Sequence, residues 1–130
     1  MKKAAKILLV DDDEDFVEGT KIVLEEHNFK VTTALSGKEC LDKINQERPD
    51  LIILDIMMPK KSGFEVCREL KTSLEYNKIP VLMLTALKKE LSRTAYSVSE
   101  GLDLEAEDYL DKPVTPKELI SRIKSLLRKE

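Results

Sequence analysis

The sequence predicts an α/β domain, a parallel sheet of five strands with helices on both faces, and three observations carry that prediction. Short apolar runs at residues 6–10, 30–34, 51–54, 81–84 and 108–110 alternate with longer amphipathic stretches, the pattern of parallel strands joined by crossover helices. Three of the runs are nearly all aliphatic, as strands covered on both faces are. The length, 130 residues, suits one domain with a real core and is too short for two ordinary ones. A single domain over residues 1–130 is expected.

The first run ends at the acidic stretch Asp11, Asp12, Asp13, Glu14. A helix over 15–26 follows, with Phe16, Val17, Ile22, Val23 and Leu24 near helical spacing. After the second run, Ser36 is placed to cap a helix over 37–46 that carries Cys40, Leu41 and Ile44. The third run leads to a helix over 62–74 through Phe64, Val66, Cys67, Leu70 and Leu74. Between the fourth and fifth runs, Leu87, Leu91, Ala95, Val98 and Leu102 line one helical face. That stretch is rich in mediocre helix formers, so a short or frayed helix is expected over 88–107, with Gly101 as a stop. Thr115 and Pro116 read as N-cap and first residue of a last helix through Leu119, Ile120, Ile123, Leu126 and Leu127.

Composition narrows the function classes. Hydrophobic residues at 42% and charged residues at 36% exclude a disordered chain, and no apolar run is long enough to span a bilayer. The net charge is -3, and the 22 basic residues are scattered among 25 acidic ones. With no basic stripe, neither direct nucleic-acid binding nor a membrane partner is expected. The start is basic, but residues 7–10 are too short for a signal segment, so a cytoplasmic location is expected. Cys40 and Cys67 have neither zinc nor disulfide spacing and read as buried free thiols.

In an open parallel sheet, ligands bind at the carboxyl ends of the strands. The residues just after the apolar runs are Asp11 and Asp12, Asp55, Thr85, and Lys112 before Pro113. Four strands thus deliver carboxylates, a hydroxyl and an ammonium to one rim. Clustered carboxylates repel one another unless a cation neutralises them. Two or three oxygen ligands, with water or phosphate supplying the rest, suit Mg2+, or Mn2+ in its place, better than a Ca2+ cage. A carboxylate beside that cation, with a hydroxyl and a lysine in reach, is a sensible phosphoryl acceptor, because Asp can act as a covalent nucleophile. Three negative charges on Asp11, Asp12 and Asp55 face three positive ones from the metal and Lys112, a balance that an acyl phosphate nearly preserves.

At these positions the chain resembles the response-regulator receiver domains of bacterial two-component systems, most like the single-domain chemotaxis regulators. The resemblance rests on the run from Lys6 through Val10 to Asp11 and Asp12; on Asp55, Ile56, Met57, Met58, Pro59 and Gly63; on Leu84, Thr85, Ala86; and on Tyr109, Leu110, Asp111, Lys112, Pro113. Each fragment is weak alone, and four in order at strand ends are specific. The family implies a flavodoxin-like (βα)5 sheet in the order 2-1-3-4-5. It implies Asp55 as phosphoacceptor, with Asp12, Asp55 and the Met57 backbone carbonyl on the metal and Asp11 holding a metal-bound water. Lys112, fixed by a cis bond to Pro113, would bridge to Asp55; Thr85 and the Ala86 backbone N–H would bind the phosphoryl group; Tyr109 would signal to the output face. Pro59 and Gly63 would be structural.

The implied function is a phosphorylation-controlled binding module in a phosphorelay, not an enzyme with its own substrate, although it assists its own phosphorylation and dephosphorylation. Its donor would be a sensor histidine kinase or a histidine phosphotransfer protein, and its reader a downstream protein. Two rivals stand beside a free-standing receiver. One is the receiver portion of a longer regulator with a DNA-binding or enzymatic output domain. The other is a phosphatase-type enzyme, which needs a second carboxylate where Met57 stands. Asp13 and Asp15 read as an ordinary acidic helix start, His27 as a helix-end residue, and Met57 and Met58 as packing residues. Between Thr85 and Lys112 the chain is about five residues longer than the family pattern, and Glu105 replaces a common glycine; a remodelled partner surface is expected there.

Overall fold

Alternation along the buried strands divides the interior into two cores. A computed structural model describes residues 4–85 and 106–128. Its strands are β1 (Lys6–Val10), β2 (Lys30–Ala34), β3 (Leu51–Asp55), β4 (Val81–Thr85) and β5 (Asp108–Asp111). All pair in parallel, in the order β2-β1-β3-β4-β5, as the resemblance implies. Successive side chains point to opposite faces. Leu8, Val10, Ile52, Leu54, Val81 and Met83 therefore enter one core, and Ile7, Leu9, Leu51, Ile53, Leu82 and Leu84 the other.

Helices cover both faces. α1 (Glu14–Glu26) and α4 (Pro116–Arg128) cover the second core through Val17, Leu24, Leu119, Ile120, Ile123 and Leu126. α2 (Gly37–Gln46) and α3 (Gly63–Lys71) cover the first through Cys40, Ile44, Phe64, Val66, Cys67 and Leu70. Both cysteines are buried thiols outside any disulfide, and burial pushes the Cys40 thiol up to about 12.

Helix starts follow local capping chemistry. The Asp13 carboxylate accepts from the amides of Asp15 and Phe16, Ser36 Oγ from that of Glu39, and Thr115 Oγ1 from that of Glu118. At α3, Ser62 and Glu65 form a reciprocal capping box. His27 caps the end of α1, its Nδ1 3.0 Å from the Val23 carbonyl oxygen.

Two sequence expectations are corrected. Helix α3 ends at Lys71 and not at residue 74. Thr72 Oγ1 donates to the carbonyls of Arg68 and Glu69, and a turn follows, which leaves Leu74 97% exposed. Ile22 is 59% exposed; five residues beyond Val17 it points about 140° away from that side chain. The helix expected over 88–107, with Gly101 and Glu105, lies mostly outside the described residues.

Candidate functional site

The chain runs outward from β1 in one direction to reach β2 and returns past β1 to reach β3, so β1 and β3 flank the topological switch point. In open parallel sheets, ligands bind at that point, outside the carboxyl ends of the strands. Val10 pairs with Leu54, which sets Asp11 beside Asp55. Sequence reading ended three runs one residue early: Asp55, Thr85 and Asp111 are the last residues of their strands. The fixed ladder therefore positions Asp55 and Thr85, and a loop does not.

Asp11, Asp12 and Asp55 bring carboxylate oxygens within 4.8 Å of one another. Asp11 and Asp55 are buried and Asp12 is exposed. Three hard oxygen donors, one of them open to solvent, fit a divalent cation that keeps part of its water shell. Lys112 Nζ lies 2.7 Å from Asp11 Oδ2 and 3.5 Å from Asp55 Oδ1. Its near partner at rest is thus Asp11, where the family pattern pointed to Asp55. The other Asp11 oxygen accepts from the amide of Asp13 at 3.0 Å.

Electrostatics follow from this crowding. Burial, then the Asp11 and Asp12 charges, push the Asp55 carboxyl up to about 6, against the opposing pull of Lys112 and the Met57 amide. At Lys112, burial works against the charged form, but the hydrogen bond to Asp11 and the charges of Asp55 and Asp11 outweigh it and raise its pKa.

The loop after Asp55 alternates. Ile56 and Met58 are buried in the first core, whereas Met57 is 54% exposed and turns its amide to the Asp55 carboxylate. Lys60 takes a positive φ of 69°, and the Pro59 carbonyl accepts from the Lys61 amide at 2.7 Å. Gly63 lies directly beneath this loop. A Cβ there would collide with the Asp55 carbonyl oxygen and approach Ile56 Cα to 2.8 Å, so close approach of two backbones demands glycine.

Thr85 is buried at the end of β4, and its carbonyl accepts from the Lys112 amide at 2.7 Å. The Lys112–Pro113 bond is cis. Tyr109 is half-buried against the first core, and burial, then Cys67 and Glu107, raises its pKa to about 12. Ala86 lies outside the described residues. One neighbour of the site escaped sequence reading: the Phe16 ring, with its centroid 4.6 Å from Lys112 Nζ. Phe16 was visible only as an apolar helix position, because its partner is distant in sequence.

Fold and rim define a doubly wound α/β domain with a cluster of carboxylates at its switch point. The family model described as response regulator receiver domain matches residues 7–124, and the chain belongs to that family. It is 43% identical over 124 residues to the alkaline phosphatase synthesis transcriptional regulatory protein PhoP of Bacillus subtilis (strain 168), covering 95% of this chain and 49% of that protein. The chain therefore spans about half the length of this relative. Among solved structures, it resembles the signal receiver domain of a signal transduction histidine kinase from Syntrophus aciditrophicus, with a TM-score of 0.88 and 34% identity over 97% of this chain and 92% of that one. The Vibrio cholerae chemotaxis protein CheY4 is also similar, with a TM-score of 0.82 and 31% identity over 94% of this chain and 98% of that one. Receiver domains are phosphorylation-controlled switches of two-component systems. No helix among the described residues is long and apolar enough to cross a membrane.

Proposed function

We propose that Asp55 is the phosphoacceptor of this receiver domain, loaded by a histidine kinase or a histidine phosphotransfer protein. The observation that carries the reading is the placement of a buried strand-end carboxylate within 4.8 Å of two others, with a lysine ammonium 3.5 Å away. An oxygen of Asp55 attacks phosphorus as the phosphorus–nitrogen bond of the donor phosphohistidine breaks, and the imidazole leaves with the bonding pair. Lys112 opposes charge on the transferring oxygens. Asp12, Asp55 and the Met57 carbonyl would hold Mg2+, and Asp11 would hold one of its waters. Bound there, Mg2+ supplies positive charge that favours ionised Asp55 and offsets the added phosphoryl charge.

Phosphoryl binding by Thr85 and a change at Tyr109 would pass the signal to a protein partner, by shifting the balance between two packings of the domain. Met57 occupies the place where a phosphatase-type enzyme needs a second carboxylate, which favours a switch over a turnover enzyme. The 49% coverage of the Bacillus relative supports a second reading, a receiver portion of a longer regulator, and sequencing of the full reading frame decides between the two.

The test is intact-mass measurement after incubation with a small acyl-phosphate donor and Mg2+. Wild type gains one phosphoryl group and Asp55→Asn gains none. Equal labelling of the two overturns the reading.

A further inference from the structure

Phe16 has no part in the transfer described above, yet its ring centroid lies 4.6 Å from Lys112 Nζ. Two features of the chain put it there. Strand alternation points Ile7 and Leu9, and with them Asp11, to the side of the sheet that α1 covers. The Asp13 carboxylate caps α1 and accepts from the Phe16 amide at 3.2 Å, which fixes where the first turn presents that ring. The ring is partly buried against the second core, which limits its movement, and it also lines an open, largely apolar pocket with Val23, Val114 and Leu119.

The ammonium thus sits among two carboxylates and an aromatic face. An aromatic ring carries negative potential on its face and attracts a cation within about 6 Å of its centroid. Lysine is a point charge on a flexible four-carbon stem, and Lys112 keeps partial access to solvent, so a third contact restricts where the charge can go. An aliphatic residue at position 16 would fill similar space without that attraction.

We propose that Phe16 is a positioning residue for Lys112, its ring face holding the ammonium beside Asp11 and Asp55 so that the charge is in place when phosphoryl transfer begins. The proposal rests on the reading of Asp55 as phosphoacceptor. It adds a residue from the first helix to a site otherwise assembled from strand ends.

The rate of labelling by a small acyl-phosphate donor with saturating Mg2+ tests it, in wild type, Phe16→Leu, Phe16→Tyr and Phe16→Trp, each checked for folding by circular dichroism. Phe16→Leu should slow labelling about two- to fivefold, the worth of one partly exposed cation–π contact, whereas Tyr and Trp keep the wild-type rate or exceed it. If Phe16→Leu does not fold, Phe16→Met replaces it as the non-aromatic variant. A non-aromatic variant as fast as wild type overturns the proposal, as does equal slowing by Leu and the aromatic replacements, which would show a packing role alone. Asp55→Asn is run alongside. If it labels like wild type, the phosphoacceptor reading falls; if Asp55→Asn does not label and Phe16→Leu matches the wild-type rate, the Phe16 proposal alone falls.

Discussion

At Asp55, burial and the Asp11 carboxylate both oppose ionisation, and the side chain titrates near 6 when its ordinary value is 3.8. The folded state therefore holds a proton that the unfolded state has already released across that interval. Without metal, the stability contributed by this group is fully present below about 4 and is lost as pH rises through about 6. In metal-free buffer, the difference in thermal midpoint between Asp55→Asn and wild type should grow in favour of the variant across this window, then level off. The corresponding change in stability should be on the order of 1 kcal/mol after allowing for solvent screening at the rim. A difference that does not change between pH 4 and pH 7 would show that Asp55 is not held in the protonated form by its surroundings. The sequence identified Asp55 by its place after an apolar run and by the offsets of Pro59 and Gly63. It did not reveal that Lys112 rests closer to Asp11, nor that Phe16 lies against Lys112. Such pairings depend on how strands and helices meet, and spacing along the chain does not encode them.

Helix α3 begins where the loop after β3 must turn back under itself, so its first residue does two jobs. Gly63 starts the helix behind the Ser62 cap, and its missing Cβ lets the loop backbone at Asp55 and Ile56 pass close above it. The obstacle to a methyl group is backbone, which has little room to yield. Gly63→Ala should cost about 2–3 kcal/mol, as overpacking does, lowering the thermal midpoint by roughly 6–15 °C for a domain of this size. It should also slow labelling of Asp55, whose carbonyl the new methyl displaces. A variant with wild-type midpoint and labelling rate would sink this account. Caps and apolar spacing made the helices legible, with starts correct to within one residue at Glu14, Gly37, Gly63 and Pro116. They failed where local chemistry ended a helix before the apolar pattern did. Thr72 closes α3 by bonding back to Arg68 and Glu69, and Leu74 is left in solvent.

Across the whole molecule, the acidic cluster would couple divalent-metal binding to stability, because strands far apart in sequence come together only in the folded state. Unfolding scatters Asp11, Asp12 and Asp55, so Mg2+ held by them would favour the folded form. Above the dissociation constant, each tenfold rise in Mg2+ should add about 1.4 kcal/mol, or about 4–7 °C in midpoint. Asp12→Asn and Asp55→Asn should respond much less, and an equal response from all three proteins would place the metal elsewhere. The sequence by itself determined the class of fold, the number of strands and the residues at their carboxyl ends, because apolar period and turn chemistry are local properties that each segment carries alone. The tertiary structure decided which of those residues touch. The register Val10 to Leu54 sets Asp11 beside Asp55, and the lie of α1 against the sheet brings Phe16 to Lys112. The reason is physical: strand register and helix docking are fixed by burying two apolar cores at once, a condition on the whole chain that no single segment can express.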